Sequence, residues 1–527
     1  MRRFLAGLFL LLAASSAAFA IDLPQLAQFT NSNWLLAGAP ALDANFAAGL
    51  YWGTSPTQLN TTRASAESEV CNGVLTTVPV NVPAIAPGCG LWDWEARTNS
   101  IRNNTMVGAV AGTPGTLPTN WTLGVASGLS VSESLSTING MSAITFTFTG
   151  TTNASSQNIT LAFDSNTAVP AAYGQTWSAS LYAAQTGASN ASTTQFNINQ
   201  YSSGAFVISD IQTITPTANM AQYLDSATIT NATITSIKSI LYYGYPTLGT
   251  VVNFSVTIAV PQLELNPNLP ATVASAATAS SGTGGVNGTA VYTVTGGTCT
   301  TQPTLNVTWT AGALTVNSVA NAGSCSVLPP SPATLAYASG TATGWTGATV
   351  TLTPTDNSAS AFATGPILTT GTAATRAQPV IYAKLNSGPA YSLAAQGTPM
   401  APNVANQNIA GWSDGTFNNR LTMLRSASGP TFTVDAFVAG SSAYAQNAGT
   451  WTQGSPGKIG ASVRSGAYLA SYNNTSMTSG SALPVPAVSQ LHIGDQGAGT
   501  APFNGVISRV TAWTYPLSQS QLNAATH

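Results

Sequence analysis

Short runs in which apolar residues alternate with hydroxyl-bearing ones recur along almost the whole chain, each bounded by Gly, Pro, Asn or Ser. In 143–148 (AITFTF), Ile144, Phe146 and Phe148 share one face while Thr145 and Thr147 share the other, and 254–260 (FSVTIAV) behaves alike. This period of two is that of antiparallel strands with one buried and one solvated face. Helical periodicity is absent until the C terminus. There Ser518 and Gln521 have the spacing of a capping box, and Leu517 can staple onto Leu522, so one short terminal helix is expected. The pattern predicts an all-β protein. At about 150 residues per domain, a chain of 527 residues holds three or four domains. Alternation lapses at 267–282 and again at 359–377, both rich in small residues and expected to be linkers.

Composition sharpens this picture. Charged residues make up 5% of the chain, 13 basic against 15 acidic; a soluble domain usually carries about 25%. Three lysines and a net charge of -2 cannot form the phosphate-binding surface that a nucleic acid needs, so no nucleic-acid partner is expected. With 44% hydrophobic residues and a mean hydropathy of +0.17 the chain should fold. Residues 1–20 have a basic start, an apolar stretch and Ala18-Phe19-Ala20, the form of a Sec signal peptide. The apolar stretch is shorter than the ~20 residues of a spanning helix. The protein is therefore expected to be exported, extracellular or on a virion surface, with no membrane span. An oxidising compartment suits the four cysteines. Sequence proximity makes Cys71 with Cys89 and Cys299 with Cys325 the simplest of three connectivities. No metal or cofactor is expected, because no Cys-x-x-Cys and no clustered oxygen-ligand loop occurs.

Between the start of the mature chain and 266 lie, in order, Asp43, Tyr51-Trp52, Thr62-Arg63-Ala64-Ser65, 90–99 (GLWDWEARTN) and Gln262-Leu263-Glu264. This order resembles the phage head-spike or tail-fibre family, whose pattern is departed from at Trp92-Asp93-Trp94. The resemblance implies a spike-like segment at 21–115 and a jelly roll at 116–266. After the first linker, 283–358 alternates around Gly296-Gly297-Thr298 and Asn321-Ala322-Gly323, and is similar to the β-rich spacers of phage appendages. The remainder, 378–527, carries Asp414-Gly415-Thr416, Leu491-His492-Ile493-Gly494 and 503–510 (FNGVISRV). It resembles the concanavalin-like or laminin-G-like lectin sandwiches at the ends of such appendages. What the resemblance implies is a non-enzymatic appendage or adhesin that recognises a cell-surface glycan, and a homo-oligomer, a trimer in those appendages.

Catalytic chemistry fares poorly by residue type. His492 is the one internal histidine, and its place between Leu491 and Ile493 suggests a surface strand position. Glu67 with Glu69, and Asp93 with Glu95, would each share a strand face, so a secreted polysaccharide depolymerase working through these carboxylates is the alternative, with a purely structural decoration protein as the third reading. Arg97 is expected to be clamped by Glu95 or Glu67. The lectin-like segment has no Glu, since none follows Glu264. Sugar binding there would fall to Trp412, Trp451, Tyr468, Tyr472, Asn473 and Asn474.

Overall fold

The computed structural model describes residues 40–527 except 53–58, 386–387, 482–483 and 498–499; the expected signal peptide lies outside them. The described chain is nearly all β, arranged in several sheets with a single α-helix, Gln519–Ala525. Both halves of the expected capping box are formed: Gln521 N donates to Ser518 Oγ and Ser518 N to Gln521 Oε1. Leu517 and Leu522 are buried in one cluster under the helix.

The first sandwich stacks a five-stranded sheet on a six-stranded one. Strand Met141–Thr151 pairs with Val251–Leu265 so that Ile144, Phe146 and Phe148 oppose Ile258, Val256 and Phe254. On the outer face Thr145 meets Thr257 and Thr147 meets Ser255 through hydroxyl pairs of 2.8 Å. Alternation thus serves both faces, one closing the core and the other solvating the sheet without charge. Ala205–Thr213 forms the edge of the six-stranded sheet and Ala221–Thr228 the edge of the five-stranded one.

Val273–Thr283, expected within a linker, is a strand paired with Thr346–Pro354. Most of its side chains are exposed, which leaves no apolar period to detect. It begins a six-stranded sheet around Tyr292, Leu305 and Trp309. That sheet curls until its outer strands touch, with Thr278 Oγ1 donating to Leu314 O and Leu314 N to Ser281 Oγ. Cys299 is joined to Cys325 directly opposite it, and Cys71 to Cys89 with Cα atoms 6.0 Å apart.

The last sandwich draws on both ends of the chain. Leu42–Asn45 and Gly90–Asp93 both pair with Gly505–Trp513, and Asn60–Thr62 pairs with Val380–Lys384. Leu42, Phe46, Leu59 and Leu91 accordingly lie in one core with Trp412, Trp451 and Ile507. The second expected linker is also fixed. Thr364 N and Oγ1 donate to Glu264, Ile367 N to Gln262 Oε1, and Thr369 N to Asn104 Oδ1. Arg97 completes this clamp, with Nε 2.5 Å from Glu95 Oε1, Nη2 on Asn266, and the guanidinium over the Phe362 ring.

Candidate functional site

Of the residues expected to hold a sugar, three are core residues. Trp412 packs on Tyr391 with ring centres 5.5 Å apart, Trp451 stacks on Phe432 at 4.6 Å, and Tyr468 stacks on Tyr444 at 5.3 Å. Each is at most 1% exposed, so none can stack on a ligand, and the expectation is corrected for all three. The reason is the sandwich itself: large rings at strand ends fill the space between two ~10 Å-spaced sheets before they can serve a loop. Tyr472 is half-buried against Phe432. Asn473 and Asn474 are exposed, turn the chain at φ of 42° and 65°, and line a shallow cavity of about 330 Å³ with Gln396, Lys458, Thr526 and His527.

The carboxylates behind the depolymerase alternative are likewise inside. Glu67, Glu69, Asp93 and Glu95 are 3% exposed or less, too enclosed to meet a polysaccharide. Arg63 Nη1 lies 2.6 Å from Glu67 Oε2. Burial pushes the Glu69 carboxyl well above the carboxylate range, with Glu67 adding to the effect. His492 is not on the surface, as its strand parity suggested, but buried. Its Nδ1 is 3.0 Å from Asp495 Oδ1, its Nε2 3.1 Å from Gln490 Oε1, and its ring stacks on Tyr382. With both nitrogens engaged and the side chain 4% exposed, it is poorly placed to act as a general base for an outside substrate.

A more open site lies where the edge strands Ala205–Thr213 and Ala221–Thr228 of the first sandwich approach each other. Two adjoining cavities, of about 410 and 250 Å³, run along this groove, and Asp210 lines both. Asp225, Gln212, Ser178 and Ser226 line the larger, with Ile211 and Leu224 as its apolar walls. Gln200 Nε2 donates to Asp210 Oδ2 at 2.6 Å, whereas Asp225 Oδ2 has no hydrogen-bond partner. Burial pushes Asp225 up to about 7, with backbone hydrogen bonds opposing it and the Asp210 charge assisting. Asp210 is raised by burial too, against the pull of Gln200. The groove therefore holds one carboxyl that burial raises to about 7 and one that is hydrogen-bonded by Gln200. A sequence signal for it exists in 221–228 (AQYLDSAT), where Asp225 takes the inward parity of Tyr223 and Ala227 while Leu224 faces out.

No family model matches the chain, and no curated protein matches it. Among solved structures it is similar to domain 4 of the GH43 extracellular arabinanase AbnA from Geobacillus stearothermophilus, in complex with arabinotriose, at 16% identity and a TM-score of 0.24 over 28% of this chain and 73% of that one. It is similar to the heptameric SAP-like pentraxin of Limulus polyphemus at 14% identity and a TM-score of 0.22, over 26% of this chain and 71% of that chain. Trypanosoma rangeli sialidase in complex with the inhibitor DANA matches at 10% identity and a TM-score of 0.24, over 88% and 76%. The expectation that the chain is not an enzyme is corrected by these matches, which bring in glycoside hydrolases and sialidases. Their TM-scores assign no activity, substrate or residue to this chain.

Proposed function

We propose that this protein is an exported, spike- or fibre-type appendage that binds cell-surface glycans, and that the sugar occupies the groove between Ala205–Thr213 and Ala221–Thr228. The observation that carries the reading is the cavity of about 410 Å³, which Asp210 and Asp225 line beside the exposed apolar side chains of Ile211 and Leu224. Asp210, Gln212, Ser178 and Ser226 supply further directional groups, and Ile211 and Leu224 supply the apolar surface that the C–H face of a sugar ring needs. A second reading, polysaccharide hydrolysis, is favoured by the same carboxyl pair: Asp225, protonated up to about 7, has the state of a general acid beside a second carboxyl.

One experiment addresses both. The full-length protein is screened on a glycan array and for release of reducing ends, beside Asp225→Asn and Asp210→Asn. Binding by the wild type that weakens about tenfold or more in Asp225→Asn is expected, equivalent to about 1.4 kcal/mol. Absence of binding by the wild type, or binding by both variants as tight as that of the wild type, removes the groove as the site. Reducing-end release that disappears in Asp225→Asn while binding persists places hydrolysis ahead of recognition.

A further inference from the structure

The groove between the edge strands Ala205–Thr213 and Ala221–Thr228 carries charge of one sign. Asp210 lines both of its cavities, Asp225 the larger and Asp356 the smaller, while no Lys, Arg or His is found among the described residues that line either. In a chain with 13 basic and 15 acidic residues, three carboxyls gathered without a cation are a marked local excess. Four other enclosed carboxylates are each met by an arginine: Glu67 by Arg63, Glu95 by Arg97, Asp164 by Arg102 and Asp43 by Arg509. The groove carboxyls are instead held by neutral groups. Asp356 is exposed and accepts from Ser358 N at 2.9 Å, and its bonds with Ser358 hold it below the usual carboxylate range, so it is charged at neutral pH. Asp210, half-buried, accepts from Gln200 Nε2 at 2.6 Å, which orients its carboxyl without cancelling charge.

Beside these carboxyls, Ile211 and Leu224 present apolar side chains that are 59% and 51% exposed, and Gln212, Ser178 and Ser226 present hydrogen-bonding groups. A sugar ring offers the complement of both, an apolar C–H face and a rim of hydroxyls. Charge then decides which sugar. Burial does most to raise Asp210 and Asp225, and beyond it Asp356 acts on Asp210, and Asp210 on Asp225, as like charges. A carboxylate or sulfate on the ligand would add to that repulsion, with no cation lining the groove to offset it. An ammonium would relieve it. Its hydrogen bond to Asp210 would be charge-assisted, and such bonds are about twice as strong as those between neutral groups. An N-acetyl group in the same place keeps one N–H but carries no charge.

We infer that the glycan held in this groove carries a free ammonium group, as an N-deacetylated hexosamine does, and that sialylated, uronic-acid and sulfated glycans are refused. The inference rests on the glycan reading of the groove. The test is calorimetry on the full-length protein at neutral pH with the tetramers of glucosamine, N-acetylglucosamine and galacturonic acid. The glucosamine tetramer is expected to bind about tenfold or more tighter than the N-acetylated one, and less tightly as salt is raised, while the galacturonate tetramer does not bind. Asp210→Asn should weaken glucosamine binding by about tenfold or more. Asp414→Asn removes the same charge at a turn of the last sandwich and should leave it unchanged. A smaller preference for glucosamine over the N-acetylated tetramer, or any binding of the galacturonate tetramer, overturns the inference and leaves the glycan reading in place. Equal losses in the two variants mean attraction to net charge and overturn it as well. No binding of the glucosamine tetramer also overturns it, and the glycan array then decides the glycan reading separately. The comparison of tetramers uses the wild type alone, so it decides even if a variant fails to fold.

Discussion

A carboxyl at the inward parity of a strand gives up water, and burial raises Asp225 to about 7. Its value of about 7 stands against about 3.9 for an unfolded chain, so the folded state binds the extra proton between those limits. The sign follows from linkage. This contribution to stability is full below about pH 4, declines as pH rises, and is gone above about 7, amounting to at most about 4 kcal/mol. Asp225→Asn, which cannot ionise, should therefore gain on the wild type as pH increases from 4 to 7 in urea-unfolding midpoints. A difference that is flat with pH would show that Asp225 is ionised in the fold. At this scale the sequence was partly legible: Arg97 finds Glu95, as charge and spacing suggested. The groove was not, because Asp210 and Asp225 lie on edge strands of two different sheets, and Ser178 and Phe362 reach the same cavity from elsewhere in the chain.

Elements read from alternation are present where one face is buried and one exposed, as in Met141–Thr151. Alternation fails where both faces are exposed, as in Val273–Thr283, and where a segment is held by side chains instead of a ladder. The segment around Thr364, Ile367 and Thr369 is of the second kind. Its backbone is satisfied by Glu264, Gln262 and Asn104, two of which belong to the motif Gln262-Leu263-Glu264. Those motif residues thus act as acceptors for a distant strap, which explains their chemistry without a ligand. Glu264→Ala leaves the buried Thr364 N–H and hydroxyl without their acceptor and should cost about 1–3 kcal/mol. Hydrogen exchange should show lost protection at 364–369; unchanged protection there would mean that the strap is held by other contacts.

At the scale of the molecule, the last sandwich is not contained in 378–527, the segment expected to form it alone. Leu42–Asn45 and Gly90–Asp93 both pair with Gly505–Trp513, and Leu42, Ala44, Phe46 and Leu91 sit fully buried in the same core. A fragment starting at Gln378 would lose those side chains and expose the ladder of Gly505–Trp513 as a bare edge, which invites aggregation. It should show no cooperative thermal transition by circular dichroism, whereas a chain starting at residue 40 should; cooperative melting by the fragment would refute this. No helix among the described residues is long and apolar enough to cross a membrane. The amino-acid sequence by itself determined the all-β class, the capped terminal helix and the cysteine pairs, which are 18 and 26 residues apart. Each of these rests on short-range spacing, and a period of two or a cap needs only neighbours. Tertiary structure alone decided which aromatics are buried, which strands close the last sandwich, and which carboxyls face a cavity. Those outcomes depend on register between strands hundreds of residues apart, and a local pattern of apolar and polar positions is the same whichever partner the strand finds.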